Sequence, residues 1–347
     1  MSQDTDTTFT NSLRQGVTTP TGLATAVLVV VAVALPYLPT TGQFEVFLAA
    51  QILAFAIAAV AFNVLLGYTG LLSFGHAAFF GGAAYAVGLV LKFTAIREML
   101  VLIPIGIVAA AILAVIIGYI SVRHTEVYYA LLMLALSFLL YVAMLKLYTY
   151  TGGTDGVPIP SPTVGGVDYI AAWGYAGYLQ GILYYVILGS FLVSILLMWV
   201  FMNSPFGLTL KTIRDSPDRA QAIGIPVVRY RWYATIVSGV FTGVGGVMYA
   251  FLNGHVTPDT VLHWSRSGEL AFMAVLGGVG SFFGPIAGAG AFILLRSEAQ
   301  QLTEYWHFVM GLVLFLIIVF EPEGVAGIAK RIYGRGAEIV NDQRGDR

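Results

Sequence analysis

The sequence predicts an all-α, polytopic membrane protein with about 8–10 transmembrane helices, including broken or re-entrant glycine-rich segments. Of its 347 residues, 58% are hydrophobic and 10% charged, and the mean hydropathy is +0.84. Soluble domains carry about 25% charged residues. Several apolar runs approach or exceed the roughly 18–20 residues that cross a bilayer. These runs are continuous rather than alternating, which favours helices over the strands of a barrel.

The composition also limits the chemistry of the chain. With no cysteine, disulfides, thiol catalysis and cysteine-bound metal are excluded. The net charge of -1 gives no reason to expect nucleic acid as a partner. We find no P-loop motif, so no nucleotide-hydrolysing site of that type is expected in this chain.

Residues 1–21 are polar and rich in Ser and Thr, and we predict a disordered cytoplasmic tail there. Residues 22–325 form the predicted transmembrane domain, and 326–347 a basic, polar cytoplasmic tail. The first apolar run resembles a cleaved signal peptide, but it continues into Pro36 and Pro39 without a small-x-small cleavage site, which favours a retained span. The predicted spans, in order, are 23–38, 46–66, 74–91, 100–120, 127–147, 181–201, 232–252, 270–295 and 307–320.

The charges of the connecting segments predict the orientation. Segment 203–231 is basic and should be cytoplasmic, and so should both termini. Segment 149–178 holds no Lys or Arg and should be extracytoplasmic. Between two cytoplasmic segments the number of crossings is even, and 232–252 and 307–320 already supply two. Segment 270–295 must therefore cross twice or not at all.

Segment 270–295 contains a strong helix-breaking sequence, Gly-Gly-Val-Gly-Ser-Phe-Phe-Gly-Pro, at 277–285. We therefore predict two half-helices folded as a hairpin that returns to the outer face near Arg296. Broken helices at membrane depth are tolerated where the freed backbone lines a cavity or is covered by protein.

A second glycine-rich break spans 67–82, and its Ser-Phe-Gly loosely resembles the Ser-Phe-Phe-Gly of the first. Paired interruptions of this kind point to a substrate path at the interface of internal repeats. The predicted path residues are Ser73, Gly75, His76, Gly278, Gly280 and Ser281. The alternative is close helix packing through small residues, with His76 hydrogen-bonded to a neighbouring carbonyl.

The polar segment 203–231 is predicted to hold two short helices. Ser204 before Pro205, and Ser216 before Pro217, are N-cap and first-turn pairs, and Gly224 suits a left-handed cap. The second helix should expose Ala220, Ala222 and Ile223, an apolar face that needs a groove on another protein. The alternative is an ordinary cytoplasmic loop.

Ionisable groups are scarce in the predicted spans, where Gln51, Asn63 and His76 are the notable polar residues. The count of crossings places Arg266 and Arg296 on the extracytoplasmic side of the membrane. This scarcity argues against an ion-coupled carrier. An intramembrane enzyme using Ser73 and His76, or His255 and His263, lacks a second carboxylate, zinc-ligand spacing or a nucleophile elbow.

Several blocks of sequence together resemble the LivM-type permeases of branched-chain amino acid ABC importers. They are Asn-Val-Leu-Leu-Gly-Tyr-Thr-Gly-Leu-Leu-Ser-Phe-Gly-His-Ala-Ala-Phe-Phe-Gly at 63–81, Thr-Gly-Gly-Thr-Asp-Gly at 151–156, Ser-Pro-Phe-Gly at 204–207, Arg-Ala-Gln-Ala-Ile-Gly-Ile at 219–225, and the segments 254–259, 276–281 and 320–324.

The resemblance implies a permease in the cell membrane, working with two ATP-binding cassette ATPases, a second permease subunit that is homologous or identical, and an extracytoplasmic substrate-binding protein. It implies no cofactor in this chain, since ATP is bound by the partner subunits. The solutes implied are branched-chain amino acids. Permeases of urea or short amides are an alternative, and an ion-coupled carrier or channel is a more distant one.

In such permeases a segment similar to E-A-A-x-x-x-G contacts the ATPase. Residues 218–224 match it, with Asp in place of Glu and Arg in place of the first Ala. The implied ATPase-coupling residues are Asp218, Arg219, Ala220, Ala222, Ile223 and Gly224.

Overall fold

The computed structural model describes residues 32–37, 42–124 and 126–320. The predicted tails 1–21 and 326–347, and most of the first predicted span, lie outside these residues. The main helices are α1 Gln43–Thr69, α2 His76–Phe93, α3 Met99–Ser121, α4 Glu126–Lys146, α5 Tyr169–Gly177, α6 Tyr184–Met202, α7 Pro205–Asp215, α8 Pro217–Ala222, α9 Val227–Asn253, α10 Trp264–Gly277, α11 Gly284–Leu302 and α12 Trp306–Phe320. Six helical stretches of the described chain are long and apolar enough to cross a bilayer. The all-α, polytopic prediction is confirmed.

The helices run between two ends, which we name by the elements found there. At the strand end, β1 (Val157–Pro158) pairs antiparallel with β2 (His255–Val256). At the loop end lie α7 and α8. The C-terminus of α1 and the N-terminus of α9 lie at the loop end, since Arg214 of α7 donates to the carbonyl of Gly67 and α9 follows α8 directly.

The segment predicted to be extracytoplasmic lies at the strand end. Beyond β1, Thr163 is bonded to the start of α3 through Met99 and Arg97. The amides of Gly166 and Gly165 donate to the Glu98 carboxylate and hold its pKa below the usual value. Backbone and side-chain hydrogen bonds therefore fold this segment against the ends of the helices.

Helices α1 and α9 form the centre of the bundle, and α9 carries a row of glycines toward its neighbours. A Cβ on Gly246 would overlap the carbonyl of Phe80 in α2, and one on Gly243 would overlap Ala110 in α3. Small residues at such crossings let the helix backbones approach closely. This close packing holds membrane helices together, because burying apolar side chains that already lie in lipid yields no hydrophobic free energy.

The predicted helical hairpin is confirmed. Helix α10 ends at Gly277, Gly278 adopts a φ of 101°, and α11 begins at Gly284. The arms pack so closely that a Cβ on Gly277 would overlap the carbonyl of Gly284. The hairpin tip lies at the loop end, because the Asn63 amide of α1 donates to the Ser281 carbonyl at 3.0 Å. The second arm returns toward the side from which α10 came.

Two helices begin earlier than the spans predicted for them. Within segment 149–178, the helix that leads into α6 starts at Tyr169 and continues as a π-helix over Tyr178–Leu183. Asp168 caps its first turn by accepting from the amides of Ile170 and Ala171. At the other end, α9 starts at Val227, and Arg231 is buried within it rather than exposed in the 203–231 loop.

Candidate functional site: a loop-end docking helix, two glycine breaks and an ion cluster

The short helix α8 has the caps that its sequence predicts. The Ser216 hydroxyl accepts from the Arg219 amide at 3.4 Å, Pro217 opens the helix, and Gly224 ends it with a φ of 88°. At the start of α7 the prediction holds only in part. Ser204 occupies the cap position, but its hydroxyl donates back to the Phe201 carbonyl instead of accepting from the new helix.

The exposed face of α8 differs from the prediction at Ala220. This side chain is 0% exposed and packs with Ile213 of α7 and Val227 of α9, so it anchors the helix to its own chain. The other predicted residues, Asp218, Arg219, Ala222, Ile223 and Gly224, are all exposed, and Ile223 is 73% exposed. Helix α8 is thus fixed on one face and open on the other.

At the first glycine break, His76 opens α2 and is completely buried. Its Nδ1 lies 3.0 Å from the Ser73 hydroxyl, and its Nε2 lies 2.8 Å from the Ser238 hydroxyl. Since Ser238 donates onward to the Ala61 carbonyl, it accepts from His76, which makes Nε2 the protonated nitrogen and Nδ1 the acceptor. The neutral ring is fully satisfied by hydroxyls, not by the neighbouring carbonyl that the sequence suggested.

Ser238→Ala should therefore destabilise the protein without impairing uptake per folded molecule. The substitution leaves the His76 N–H buried without an acceptor, which costs about 1–3 kcal/mol. The measurement is thermal aggregation in detergent, set beside uptake normalised to folded protein. Thr242→Val is the matched control, since that hydroxyl donates only to the Ser238 carbonyl within α9. Equal melting of the two variants would contradict the proposed hydrogen-bond chain.

At the second break, Gly278, Gly280 and Ser281 form the hairpin tip. Gly278 is buried, Gly280 is exposed, and the Ser281 hydroxyl accepts from the Gly284 amide at 3.2 Å. In the first break the Ser73 hydroxyl accepts likewise from the Gly75 amide at 3.3 Å. Each break thus has a serine that accepts from the backbone amide of a nearby glycine at or just before the start of the following helix.

Both breaks pack on the C-terminal half of α1. The rings of His76 and Phe62 are 4.6 Å apart, while Asn63 bonds the hairpin tip. A Cβ added to Gly67 would lie 2.7 Å from the Val279 carbonyl oxygen. The carbonyl of Gly67 accepts a hydrogen bond from Arg214 of α7. The end of α1 is therefore held between the hairpin tip and the segment that carries α8.

An ion cluster links the two arms of the hairpin. Its two arginines, Arg266 and Arg296, were predicted to lie on the extracytoplasmic side, and the sequence did not predict their contacts. The Arg266 guanidinium lies 5.2 Å from the ring centroid of Phe55, midway along α1. Arg266 forms a salt bridge with Glu269 in the same helix, and Arg296 approaches Glu269 from α11 at 3.5 Å. Charged groups at such depth are costly and commonly mark solute paths. The i,i+3 spacing of Arg266 and Glu269 before an apolar run was the available signal.

The two histidines considered for an enzyme are held separately. His255 is bonded to the Asp155 carbonyl at 2.8 Å, and His263 to the Ser265 hydroxyl at 2.8 Å. Among the described residues, no group of three metal-binding side chains is assembled.

The bundle of spanning helices, the broken hairpin and the half-exposed helix α8 together define the chain as a transport subunit of a membrane. A family model described as branched-chain amino acid transport system / permease component matches residues 45–318. The chain belongs to this permease family.

Individual relatives agree with this assignment. The chain is 25% identical over 314 residues to the high-affinity branched-chain amino acid transport system permease protein LivM of Salmonella typhimurium, covering 86% of this chain and 73% of that protein. The values are the same for the Escherichia coli protein of that name. It is also 32% identical over 111 residues to the nucleoside ABC transporter permease protein NupC of Lactococcus lactis, covering 32% of this chain and 34% of that one.

Proposed function

We propose that this chain is the permease subunit of an ABC importer and forms, with a second permease subunit, the transmembrane path for branched-chain amino acids. The observation that carries the proposal is α8, anchored by Ala220 and open at Ile223, at the end of the bundle where α1 meets the hairpin tip. The breadth of the match to LivM proteins supports the solute class.

In this proposal the loop end faces the cytoplasm and two ATPase subunits dock on α8. An extracytoplasmic binding protein delivers solute to the strand end. Closure of the ATPases moves α7 and α8 as a unit, and the contacts of Arg214 and Gly67 pass that movement to α1 and the hairpin tip. The chain itself supplies the path and the docking surface, while ATP is bound by the partner subunits.

The test is uptake of labelled leucine into liposomes that contain this chain with its co-purifying permease and ATPases, supplied with the binding protein. We expect uptake to require ATP. Uptake without nucleotide would indicate a carrier or channel instead. Urea, short amides and nucleosides serve as competing solutes, and preferential uptake of one of these would assign a different solute class.

A single substitution tests the docking role of α8. Ile223→Asp should remove ATPase subunits from the purified complex, because a carboxylate in an apolar groove is strongly unfavourable. Thermal stability should be unchanged, since Ile223 is exposed. Leu302→Asp, at an 84% exposed residue near the opposite end of the bundle, is the matched control and should retain the ATPases. Full ATPase retention by Ile223→Asp would contradict docking at this helix.

A further inference from the structure

The ion cluster of α10 and α11 carries one positive charge more than it balances. Arg266 is fully engaged, since it donates to the Thr260 carbonyl, pairs with Glu269, and lies over the rings of Phe55 and Tyr249. Arg296 is less fully engaged. Its contacts with Glu269 are 3.5 Å long, and its side chain is 22% exposed, compared with 7% for the side chain of Arg266. The unbalanced charge therefore resides on Arg296.

Arg296 lies next to Leu295, one of the residues that line an apolar groove between α10, α11 and α12. Its guanidinium is 5.0 Å from the ring centroid of Trp306, the first residue of α12. The groove begins about one helical turn from Glu269, Arg296 and Trp306 on their respective helices. It is lined by Phe272, Leu276, Phe292, Leu295, Met310, Val313 and Leu314. A cation is thus about one helical turn from a groove lined only by apolar side chains.

We propose that Arg296 binds the carboxylate of the transported solute and that this groove receives its aliphatic side chain. The inference rests on the proposed function and narrows its solute class to molecules with a carboxylate and an apolar tail. Nucleosides, urea and short amides lack the carboxylate, so they gain nothing from Arg296. A guanidinium suits the task because it binds a carboxylate through two parallel N–H donors.

The packing of the hairpin allows the groove to open. The groove is narrow here, so a branched side chain enters only when α10 and α12 separate. The tight contacts between Gly277, Gly284 and Gly288 hold the hairpin arms together near the tip. Beyond the groove, on the side away from the tip, α10 and α11 are joined by the long contacts of Arg296 with Glu269, which a carboxylate would replace with shorter ones.

The experiment compares Arg296→Gln and Arg296→Lys in the reconstituted complex, in liposomes made only of phosphatidylcholine. We expect leucine uptake to fall about ten-fold or more in Arg296→Gln, because a charged hydrogen-bonding partner is lost. Arg296→Lys should be intermediate, since it keeps the charge but not the planar fork. Folded yield and ATPase activity without solute are measured for each variant, and uptake is expressed per folded, ATPase-competent complex. Arg97→Gln, an exposed cation at the strand end, is the control and should transport normally.

Three results would overturn the inference. Wild-type uptake by Arg296→Gln is the first. The second is recovery of uptake in Glu269→Gln/Arg296→Gln, which would mean that Arg296 only balances Glu269. The third is a defect that appears only when anionic lipid is added, which would assign the groove to a lipid. Each of these results is compared with a wild-type complex that shows ATP-dependent leucine uptake. If the wild-type complex itself shows no such uptake, the proposed function fails, and that failure is distinguished from failure of this inference.

Discussion

Replacement of Gly288 by leucine should abolish folding of the hairpin and, with it, uptake. A Cβ at this position would overlap the carbonyl oxygen of Met273 in the facing arm and approach the backbone of Gly277. Both neighbours are backbone, so no side chain can rotate away, and the arms must separate. Overpacking of this kind costs about 3 kcal/mol or more. The expected result is a low yield of folded protein, early thermal aggregation and no leucine uptake.

Gly290→Ala provides the control for this prediction. Gly290 lies in the same helix two residues further on, and its added Cβ would sit 3.9 Å from Ile52, an ordinary contact. Wild-type stability is expected there. If Gly288→Leu folded as well as Gly290→Ala, the close approach of the two arms would be wrong.

Replacement of Gly224 by valine should separate ATP hydrolysis from uptake. Gly224 has a φ of 88°, where a residue with a Cβ is strained by about 1–2 kcal/mol and a β-branched one by more. Relief of that strain rotates the end of α8 and displaces Ile223. No atom lies within 4 Å of a Cβ built there, so the rest of the bundle is undisturbed. We expect ATPase activity to persist while uptake falls about ten-fold, in line with this strain.

Asparagine at the same position is the informative comparison, because it enters the left-handed region more readily than other residues with a side chain. Gly224→Asn should keep most of the uptake. Equal defects in the two variants would show that the loss arises from the added side chain and not from the backbone conformation.

The hairpin was predictable from sequence because two independent signals agreed. The glycines and proline of 277–285 break a helix, and the number of crossings between basic segments must be even. The orientation of α8 was not predictable. Ala220, Ala222 and Ile223 are similar in kind, and only the positions of Ile213 and Val227 in the folded chain decide that Ala220 faces inward.

The ion cluster was missed for a related reason. The count of crossings placed Arg266 and Arg296 on the extracytoplasmic side, against the charge rule, and nothing in the neighbouring sequence indicates that α10 starts beside the middle of α1. That depth follows from the path of the chain between α9 and α10, where the Thr257–Thr260 turn and the burial of Val261 and Leu262 bring the chain inward. Tertiary contacts, not periodicity, set this part of the site.

The hydrogen bonds around His76 tie three helices of the bundle together. The Ser73 hydroxyl, the His76 ring and the Ser238 hydroxyl form a series that ends on the Ala61 carbonyl. Each inner member has a partner on both sides, so turning any one of them would leave a neighbour without its partner. The series therefore fixes the start of α2 against both α1 and α9, at the point where the glycine-rich break would otherwise leave the backbone loosely held.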